Sequence, residues 1–310
     1  MPAFAAFRAA GKWFRGNCHT HTTLSDGKQS PEQVARRYRE NGYDFLFLTD
    51  HWKAQPGVRE LCRKGFLVIN GIELHPPIHS SLRGERHHIV GLGVERSPRR
   101  AWAEKTASAP AIIRWIRRQG GVPIYAHPYW LGHSIDHMRD GAAAAAMEVF
   151  NSVCEEERGL GHSGAHADQA LSDGFNWNLL ATDDLHREAE AFGGWIMVKA
   201  RALTPAAVLG AIRRGQFYST QGPEIRSLTI DRRAARLECS PAREIIWHGE
   251  GPRGNIHADP RGRLTESELL MEKRYGKSRY WRVEIIDARG RRAWSNPVIW
   301  DAAKKRYADV

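Results

Sequence analysis

Through residue 222, short apolar segments alternate with segments in which apolar residues recur at helical spacing. Six of the apolar segments lie at residues 44–50, 65–71, 87–94, 122–128, 147–151 and 178–184. Their nearly continuous apolar character is typical of strands that are buried on both faces. We therefore predict a set of buried parallel strands.

The segments between these strands carry the features of helix ends. Ser30 is followed directly by Pro31, and Gln33 lies three residues after the serine, which predicts a capped helix start. Residues 108–121 and 204–215 also begin at Ser or Thr and end at Gly. Repeated alternation of strand and helix predicts an α/β fold, either a barrel or an open doubly wound sheet.

After residue 222 the pattern changes. The segments IRSLTI, ARLECS, EIIWHG and YWRVEIIDARG are short, rich in β-formers and separated by turn residues. This pattern favours a small antiparallel β domain or sandwich packed on the first unit. We predict one domain over residues 1–222 and a β-rich accessory domain over residues 223–310.

Several broad classes of protein are excluded by composition. The apolar run AAAAAM at residues 142–147 is far shorter than the ~20 residues of a membrane-spanning helix. The first residues lack the uninterrupted apolar stretch and cleavage site of a secretory signal, so we expect a cytoplasmic protein. The four cysteines are widely separated and form no C-x-x-C pair, which predicts buried thiols rather than a disulfide framework or a zinc knuckle.

The chain is basic, with a formal net charge of +11. Residues 223–310 carry 19 Lys and Arg against 13 Asp and Glu, so this short segment holds +6 of the excess. A positive charge suits an anionic substrate, an acidic partner or nucleic acid. An Arg-rich solvated surface explains the charge equally well.

Residues that bind metals cluster where the predicted strands end. In GNCHTHTTLSDG, residues 16–27, His19 and His21 share one face of a strand because they are two residues apart, and Asp26 follows. The other strand ends carry Asp50 and His51, Glu73, His87 or His88, His127, and Asp184 and His186. Packing does not readily explain six such ends, since unpaired buried charges are costly. Because strand ends meet at one face of a barrel, we predict a metal site there.

The motifs HTHTTLSDG, TDH, GIE, HHIVGLG, AHP and TDDLH, in this order, resemble those of the PHP (polymerase and histidinol phosphatase) family of metallohydrolases over residues 15–222. The later segments GQFYSTQGPEI and GRRAWSNPVIW resemble the branch that contains carbaryl-hydrolase-like proteins. The resemblance implies a distorted (β/α)7 TIM-like barrel that holds two or three divalent ions. Imidazole and carboxylate donors without thiolates suit Zn, Mn or Fe.

The resemblance also implies a ligand set. Matched position by position, it comprises His19, His21, Asp26, His51, Glu73, His88, His127, Asp184 and His186. One ion is then shared by His19, His21 and Asp184 with Glu73, which bridges to a second ion held by His88 and His127. A third site is completed by Asp26, His51 and His186. We expect Glu73, Asp184 and His186 to act in catalysis, the last two as candidates for proton transfer.

Several neighbouring residues have alternative interpretations. His87 replaces His88 if the strand register shifts by one residue, although His88 fits the family pattern. Asp183 is expected to support or cap rather than bind, and Asp50 to orient its neighbours. His75 shares a face with Glu73, which allows it to enter the pocket, but we favour a solvated or loop position. We interpret four further histidines as surface or substrate-proximal residues: His133, His137, His162 and His166.

The leading functional hypothesis is a metal-dependent phosphoesterase that acts on a small phosphorylated metabolite or nucleotide with a metal-bridging hydroxide. The alternatives are an amide, carbamate or ester hydrolase, and an exonuclease or nucleic-acid-associated protein. Candidate cations for the anionic end of the substrate are Lys53, Arg83, Arg86 and Arg187. The β-rich tail is expected to supply no ligand and to shape the rim of the pocket or an oligomer contact. The sequence leaves the oligomeric state open.

Overall fold

The computed structural model describes residues 4–78, 84–231, 233–271, 278–304 and 306–310. Within these ranges the α-helices are α1 (Ala5–Arg8), α2 (Pro31–Glu40), α3 (Arg100–Lys105), α4 (Ala109–Arg118), α5 (Ile135–Arg139), α6 (Ser152–Arg158), α7 (Gly164–Ser172) and α8 (Pro205–Arg213). Two short 3-10 helices lie at Val58–Leu61 and Glu188–Glu190.

The first nine strands are β1 (Lys12–Asn17), β2 (Phe45–Leu48), β3 (Leu67–Leu74), β4 (Ile89–Leu92), β5 (Val122–Tyr125), β6 (Ala146–Asn151), β7 (Asn178–Thr182), β8 (Trp195–Ala200) and β9 (Phe217–Thr220). The later strands are β10 (Ile225–Ile230), β11 (Ala234–Ala242), β12 (Glu244–Gly249), β13 (Gly254–Ala258), β14 (Leu264–Leu270), β15 (Tyr280–Ile286), β16 (Arg292–Ser295), β17 (Val298–Asp301) and β18 (Arg306–Asp309).

Strands β1 to β7 are neighbours in chain order within one large mixed sheet. The pairs β1–β2, β2–β3, β5–β6 and β6–β7 are parallel, whereas β4 is antiparallel to both β3 and β5. The prediction of a parallel strand at residues 87–94 is therefore wrong. A parallel return needs a crossover that is usually helical, and the described part of the connection from β3 to β4 contains no helix.

The two ends of this set of strands approach each other beyond β1 and β7. The backbone N–H of Asp184 donates to the carbonyl of His19 at 2.9 Å, and that of His21 donates to the carbonyl of Leu185 at 2.9 Å. Two segments that are far apart in sequence are thus fixed side by side. Both carry predicted metal ligands.

Side chains of β2 point alternately to two cores, as expected for a strand buried on both faces. Phe45 and Phe47 pack in the apolar cluster between the strands and α8, whereas Leu46 and Leu48 pack with α2. The helix α2 begins as predicted, since Ser30 and Gln33 form a reciprocal capping box. Thr204 likewise caps α8, but the Ser108 side chain makes no capping bond to α4.

The C-terminal region is rich in β structure, as predicted. The strand β9 pairs with both β8 and β16, so the large sheet continues through β16, β15 and β12 to β13. A second sheet, β10–β11–β14, packs across it around a core that includes Leu228, Leu237, Trp247 and Trp281. The two regions of the chain therefore share one continuous sheet.

An ion pair also joins α7 to β15. The buried guanidinium of Arg282 donates two hydrogen bonds to Asp168, at 2.8 Å and 2.6 Å.

Within the described parts of the chain, no helix has the length and apolar character to span a membrane. Cys62 is half-buried, whereas the other three cysteines are buried as predicted.

Candidate metal centre

All nine residues of the predicted ligand set come together at one edge of the sheet. His19 and His21 follow β1, His51 follows β2, and Glu73 is the second-last residue of β3. His127 follows β5, and Asp184 and His186 follow β7. His88 instead precedes β4, and the antiparallel direction of β4 brings its start to the same edge as the ends of the other strands.

The Glu73 carboxylate is the centre of the cluster and is almost completely buried. Its Oε2 lies 2.8 Å from His51 Nδ1 and 3.4 Å from His19 Nε2 and from His21 Nε2. Its Oε1 lies 3.0 Å from His88 Nδ1 and 3.5 Å from His127 Nε2. Each oxygen thus faces its own group of imidazoles.

Asp184 is the second buried carboxylate of the cluster. Its Oδ1 lies 3.0 Å from His21 Nε2 and 3.2 Å from His19 Nε2. This oxygen is buried and has no hydrogen-bond donor of acceptable geometry, whereas Oδ2 accepts from Asn151 at 3.1 Å. Asp184 and His127 also have left-handed backbones, with φ of 59° and 23°. Such conformations cost about 1–3 kcal/mol each and are concentrated at functional sites.

A third group lies beside the first two and is more exposed. Asp26 Oδ2 is 3.3 Å from His51 Nε2 and 3.5 Å from His186 Nε2, and Asp26 Oδ1 is 3.6 Å from His21 Nδ1. About half of the Asp26 side chain is accessible. Solvent and ligands therefore reach the cluster from this side.

The carboxylates of the cluster favour positively charged groups beside them. Burial raises the pKa of Glu73, but the surrounding imidazoles outweigh this effect and hold it well below its usual range. Burial lowers the pKa of His51, but Glu73 and Asp26 outweigh burial and raise this pKa to about 10. In the same way, Asp26 and Asp184 raise the pKa of His186 to about 9. The carboxylates are thus anionic and attract cations.

The donor set fits divalent metal ions. The cluster contains five overlapping groups of three or four His, Asp and Glu residues whose nitrogen and oxygen atoms lie within 4.8 Å of one another. Burying so many ionisable groups is costly unless they are paired or bind a metal. The unsatisfied oxygen of Asp184 is one atom that a cation would satisfy.

Glu148 supports the cluster, and sequence analysis did not single it out. Its Oε1 accepts from His19 Nδ1 at 2.7 Å, so Nε2, which faces Glu73 and Asp184, is the nitrogen of His19 that a metal ion would use. Glu148 Oε2 also accepts the backbone N–H of His127 at 3.0 Å. The sequence feature that indicates this role is a single acidic residue inside the apolar strand MEVFN.

The two neighbouring aspartates bind the backbone, in agreement with their expected orienting and capping roles. Asp50 accepts from the backbone N–H and hydroxyl of Thr22 at 2.7 Å and 2.8 Å. Asp183 accepts from the Tyr38 hydroxyl at 2.6 Å and from the N–H of Gly194 at 2.9 Å. Burial raises the pKa of Asp183 to about 6.

The structure distinguishes His87 from His88. His87 Nδ1 lies 3.0 Å from the Tyr125 hydroxyl, away from the cluster, whereas His88 faces Glu73. His75 lies just after β3 and outside any strand or helix, as the loop interpretation predicts, but its Nε2 is buried 3.4 Å from Glu73 Oε2 and is not solvated. Its side chain as a whole stays partly exposed, although Nε2 is covered.

A cavity of about 350 Å³ opens onto the cluster. Its walls include seven of the cluster residues, the apolar surface of Trp130, Val153 and Cys154, and the cations Lys28 and Arg187. Of the four predicted substrate cations, only Arg187 lines this cavity. Arg86 instead donates to the carbonyls of His75 and Glu104, Lys53 donates to the carbonyl of Leu24, and Arg83 lies outside the described residues.

The described residues of the β-rich tail do not reach the cluster. His248 lies between Asp168 and Glu284, and His257 contacts Ser267. The cavity-lining residues that the structure describes all precede position 191, so no described residue of the tail forms its rim. The alternative expectation, an oligomer contact, stays a prediction.

No protein-family model matches this chain. A phosphoribosyl 1,2-cyclic phosphate 1,2-diphosphodiesterase from Eggerthella lenta is 39% identical over 80 residues, which cover 25% of this chain and 30% of that protein. The 5'-3' exoribonuclease Rnm from Salmonella typhimurium is 38% identical over 81 residues, 25% of this chain and 27% of that protein. The matches thus span less than a third of each curated relative.

The fold is similar to that of a solved structure over nearly the whole chain. A crystal structure from Bacteroides vulgatus, of a two-domain protein containing a predicted PHP-like metal-dependent phosphoesterase, aligns with a TM-score of 0.52 and 14% identity. The alignment covers 96% of this chain and 99% of that one. This chain therefore shares the overall fold of that protein.

Proposed function

We propose that this chain is a metal-dependent phosphoesterase that hydrolyses a small phosphorylated substrate. The observation that carries the proposal is the position of Glu73, whose two carboxylate oxygens each face separate imidazoles. A carboxylate so placed can bridge two cations. The names of both curated relatives, a diphosphodiesterase and an exoribonuclease, support phosphoester chemistry.

The nine clustered residues are the proposed metal ligands. His19, His21 and Asp184 hold one ion with Glu73, and His88 and His127 hold a second ion on the other Glu73 oxygen. A third position is formed by Asp26, His51 and His186, which lie together at the more exposed side. Imidazole and carboxylate donors suit Zn, Mn or Fe, and the number of ions is two or three.

Divalent ions bound here would supply a coordinated water with a pKa near 7 and would neutralise phosphate oxygens. The protein orients this chemistry through hydrogen bonds. His186 Nδ1 donates to the backbone carbonyl of Asp184 at 2.7 Å, which leaves Nε2 facing Asp26 as a ligand when a third ion is bound and as a proton carrier when only two are. Lys28 and Arg187 line the same cavity and bind the anionic end of the substrate.

The cavity supports a small substrate rather than a polymer. Its volume of about 350 Å³ lies at the lower end of the roughly 300–1,000 Å³ that is usual for small-molecule sites. The side chains of Trp130, Val153 and Cys154 give one part of the wall an apolar surface. A second candidate function is a nuclease, which the exoribonuclease likeness favours.

Finer assignments of the fold complete the proposal. The backbone contacts between the ends of β1 and β7 support a distorted seven-stranded (β/α)7 barrel. We place the boundary between this unit and the β-rich accessory domain at residues 222 and 223, just before β10. The tail segment GRRAWSNPVIW supports the carbaryl-hydrolase-like branch. We also assign the protein to the cytoplasm.

The test is elemental analysis of protein purified without added metal, followed by turnover measurements under matched metal and salt. Substrates are nucleoside and sugar monophosphates, single-stranded DNA and RNA, and neutral carbamates and esters. We expect the small monophosphates to be cleaved fastest, with Glu73→Gln as the control for contaminating activity. Faster cleavage of the polymers selects the nuclease, and activity confined to carbamates or esters refutes the phosphoesterase.

A further inference from the structure

His75 has a position that the nine-residue ligand set does not explain. It follows β3 and lies two residues after Glu73, so both side chains project to the same face of the extended backbone. The Nε2 of His75 lies 3.4 Å from Glu73 Oε2. Together with His51 and Glu73, His75 forms one of the groups of donor atoms within 4.8 Å of one another.

The neighbouring rings restrict the orientation of His75. Its imidazole stacks on His88 with the ring centroids 3.7 Å apart and an interplanar angle of 14°. The rings of His51 and Trp52 meet it edge-on, at 4.5 Å and 5.3 Å. Aromatic packing on three sides therefore holds Nε2 toward the Glu73 carboxylate.

The buried nitrogen itself has no hydrogen-bond partner among the described residues. A buried polar atom left in this state costs about 1–3 kcal/mol, so its position calls for a partner. His75 is also absent from the described lining of the substrate cavity. It faces Glu73 from behind the cavity, where a group that transfers a proton to substrate would not lie.

We infer that His75 is a tenth metal ligand, which binds through Nε2 an ion that it shares with Glu73 Oε2 and His51 Nδ1. The inference rests on the proposed metal site and extends it. It assigns His51 to this ion through Nδ1, in place of the third position proposed above, and leaves His51 Nε2 to carry a proton toward Asp26. The same geometry predicts that replacing His75 removes a nitrogen ligand of the metal ion as well as a ring that packs on His88.

The experiment titrates the purified full chain with Co²⁺ and records visible absorption and bound cobalt by elemental analysis. His75→Phe retains an aromatic ring for stacking on His88 but has no donor nitrogen. His75→Ala creates a space that free imidazole can enter, and His257→Ala is the control in the β-rich tail. Circular dichroism and thermal denaturation verify that each variant is folded.

We expect both His75 variants to bind at least one cobalt ion tenfold or more weakly and to show a changed absorption band at saturation. Added imidazole should restore the wild-type band in His75→Ala, and His257→Ala should match the wild type. Unchanged spectra and stoichiometry at saturating cobalt in both His75 variants would overturn the assignment, even with weaker affinity. If the wild type itself bound no cobalt, the proposed metal function would fail instead.

Discussion

At the scale of single residues, the two central carboxylates reach the histidines by different means. Glu73 is placed by the regular extended backbone of β3, whereas Asp184 has a left-handed backbone just beyond β7. The strained conformation of Asp184 is held by the hydrogen bond from its N–H to the carbonyl of His19. Folding therefore provides the energy that brings Asp184 to its position.

Glu73→Gln should lower metal content by at least one ion per chain and reduce phosphoesterase activity at least 100-fold. A neutral amide has one oxygen in place of two and cannot bridge two cations equally. Elemental analysis and turnover measure the two effects. Glu60→Gln, at an exposed position, is the control, and full metal content together with full activity in Glu73→Gln would disprove the bridging role.

Glu148→Gln should weaken metal binding about 10–100-fold, because partners that orient ligating histidines have effects of this size. The glutamine removes the charge that holds the proton on His19 Nδ1, while its shape leaves the strand intact. Competition with a coloured chelator measures the affinity. Exposed Glu95→Gln should leave it unchanged, and the same result for Glu148→Gln would refute the supporting role.

At the scale of elements, the helix α2 shows how local sequence positions a strand of the site. Ser30 and Gln33 close its first turn, and the buried Val34 and Tyr38 then pack against β2, which leads to His51. The cap acts on this element without touching the metal cluster. Its energetic contribution can therefore be separated from that of the site.

Ser30→Ala should lower the free energy of unfolding by about 1 kcal/mol, the usual effect of removing a capping side chain. Urea denaturation monitored by circular dichroism measures it, and metal content should not change. Ser30→Asp, which preserves a capping acceptor, should retain most of the stability. Equal losses in both variants would show that the cap has no role.

At the scale of the whole molecule, charged residues buried between α7 and β15 link the two regions of the chain. Arg282 is almost completely buried and binds Asp168 from one side while Glu284 lies on the other. Glu284 also pairs with Arg292 and His248. Removing one partner therefore leaves an uncompensated charge in the interior.

Asp168→Ala should destabilise the protein by about 3 kcal/mol, because it leaves the Arg282 guanidinium without its main partner. The double variant Asp168→Ala/Arg282→Met should recover part of that loss. Asp136→Ala, which breaks an exposed pair with Arg139, should cost less than about 1 kcal/mol. Chemical denaturation measures all three, and equal effects of the two single variants would contradict a buried linkage.

Glu284 also predicts a dependence of stability on acid pH. Burial raises its pKa, but His248 and Arg282 outweigh burial and lower it from 4.5 to about 2. Its contribution to stability is therefore complete above about pH 4.5 and is lost as the pH falls toward 2. Glu284→Gln should flatten this part of the curve of unfolding free energy against pH, and an unchanged slope would disprove the assignment.

Much of the site could be predicted because its residues stand in short, ordered motifs at the ends of apolar segments. His19 and His21 share a face by strand periodicity alone, and Ser30 and Gln33 identify a helix start locally. Glu148 and His75 could not be assigned in this way. Their roles depend on which distant imidazole each one meets, and no local pattern specifies that contact.

The sequence by itself determined which segments are buried, where α2 begins, and which donor atoms stand at the strand ends. Only the tertiary structure decided the antiparallel direction of β4, the continuous sheet through β9 and β16, and the approach of β7 to β1. Burial and capping follow from the side chains of a few adjacent residues. Strand direction and pairing depend on contacts between residues far apart in the chain, whose free energy is summed over the whole folded molecule.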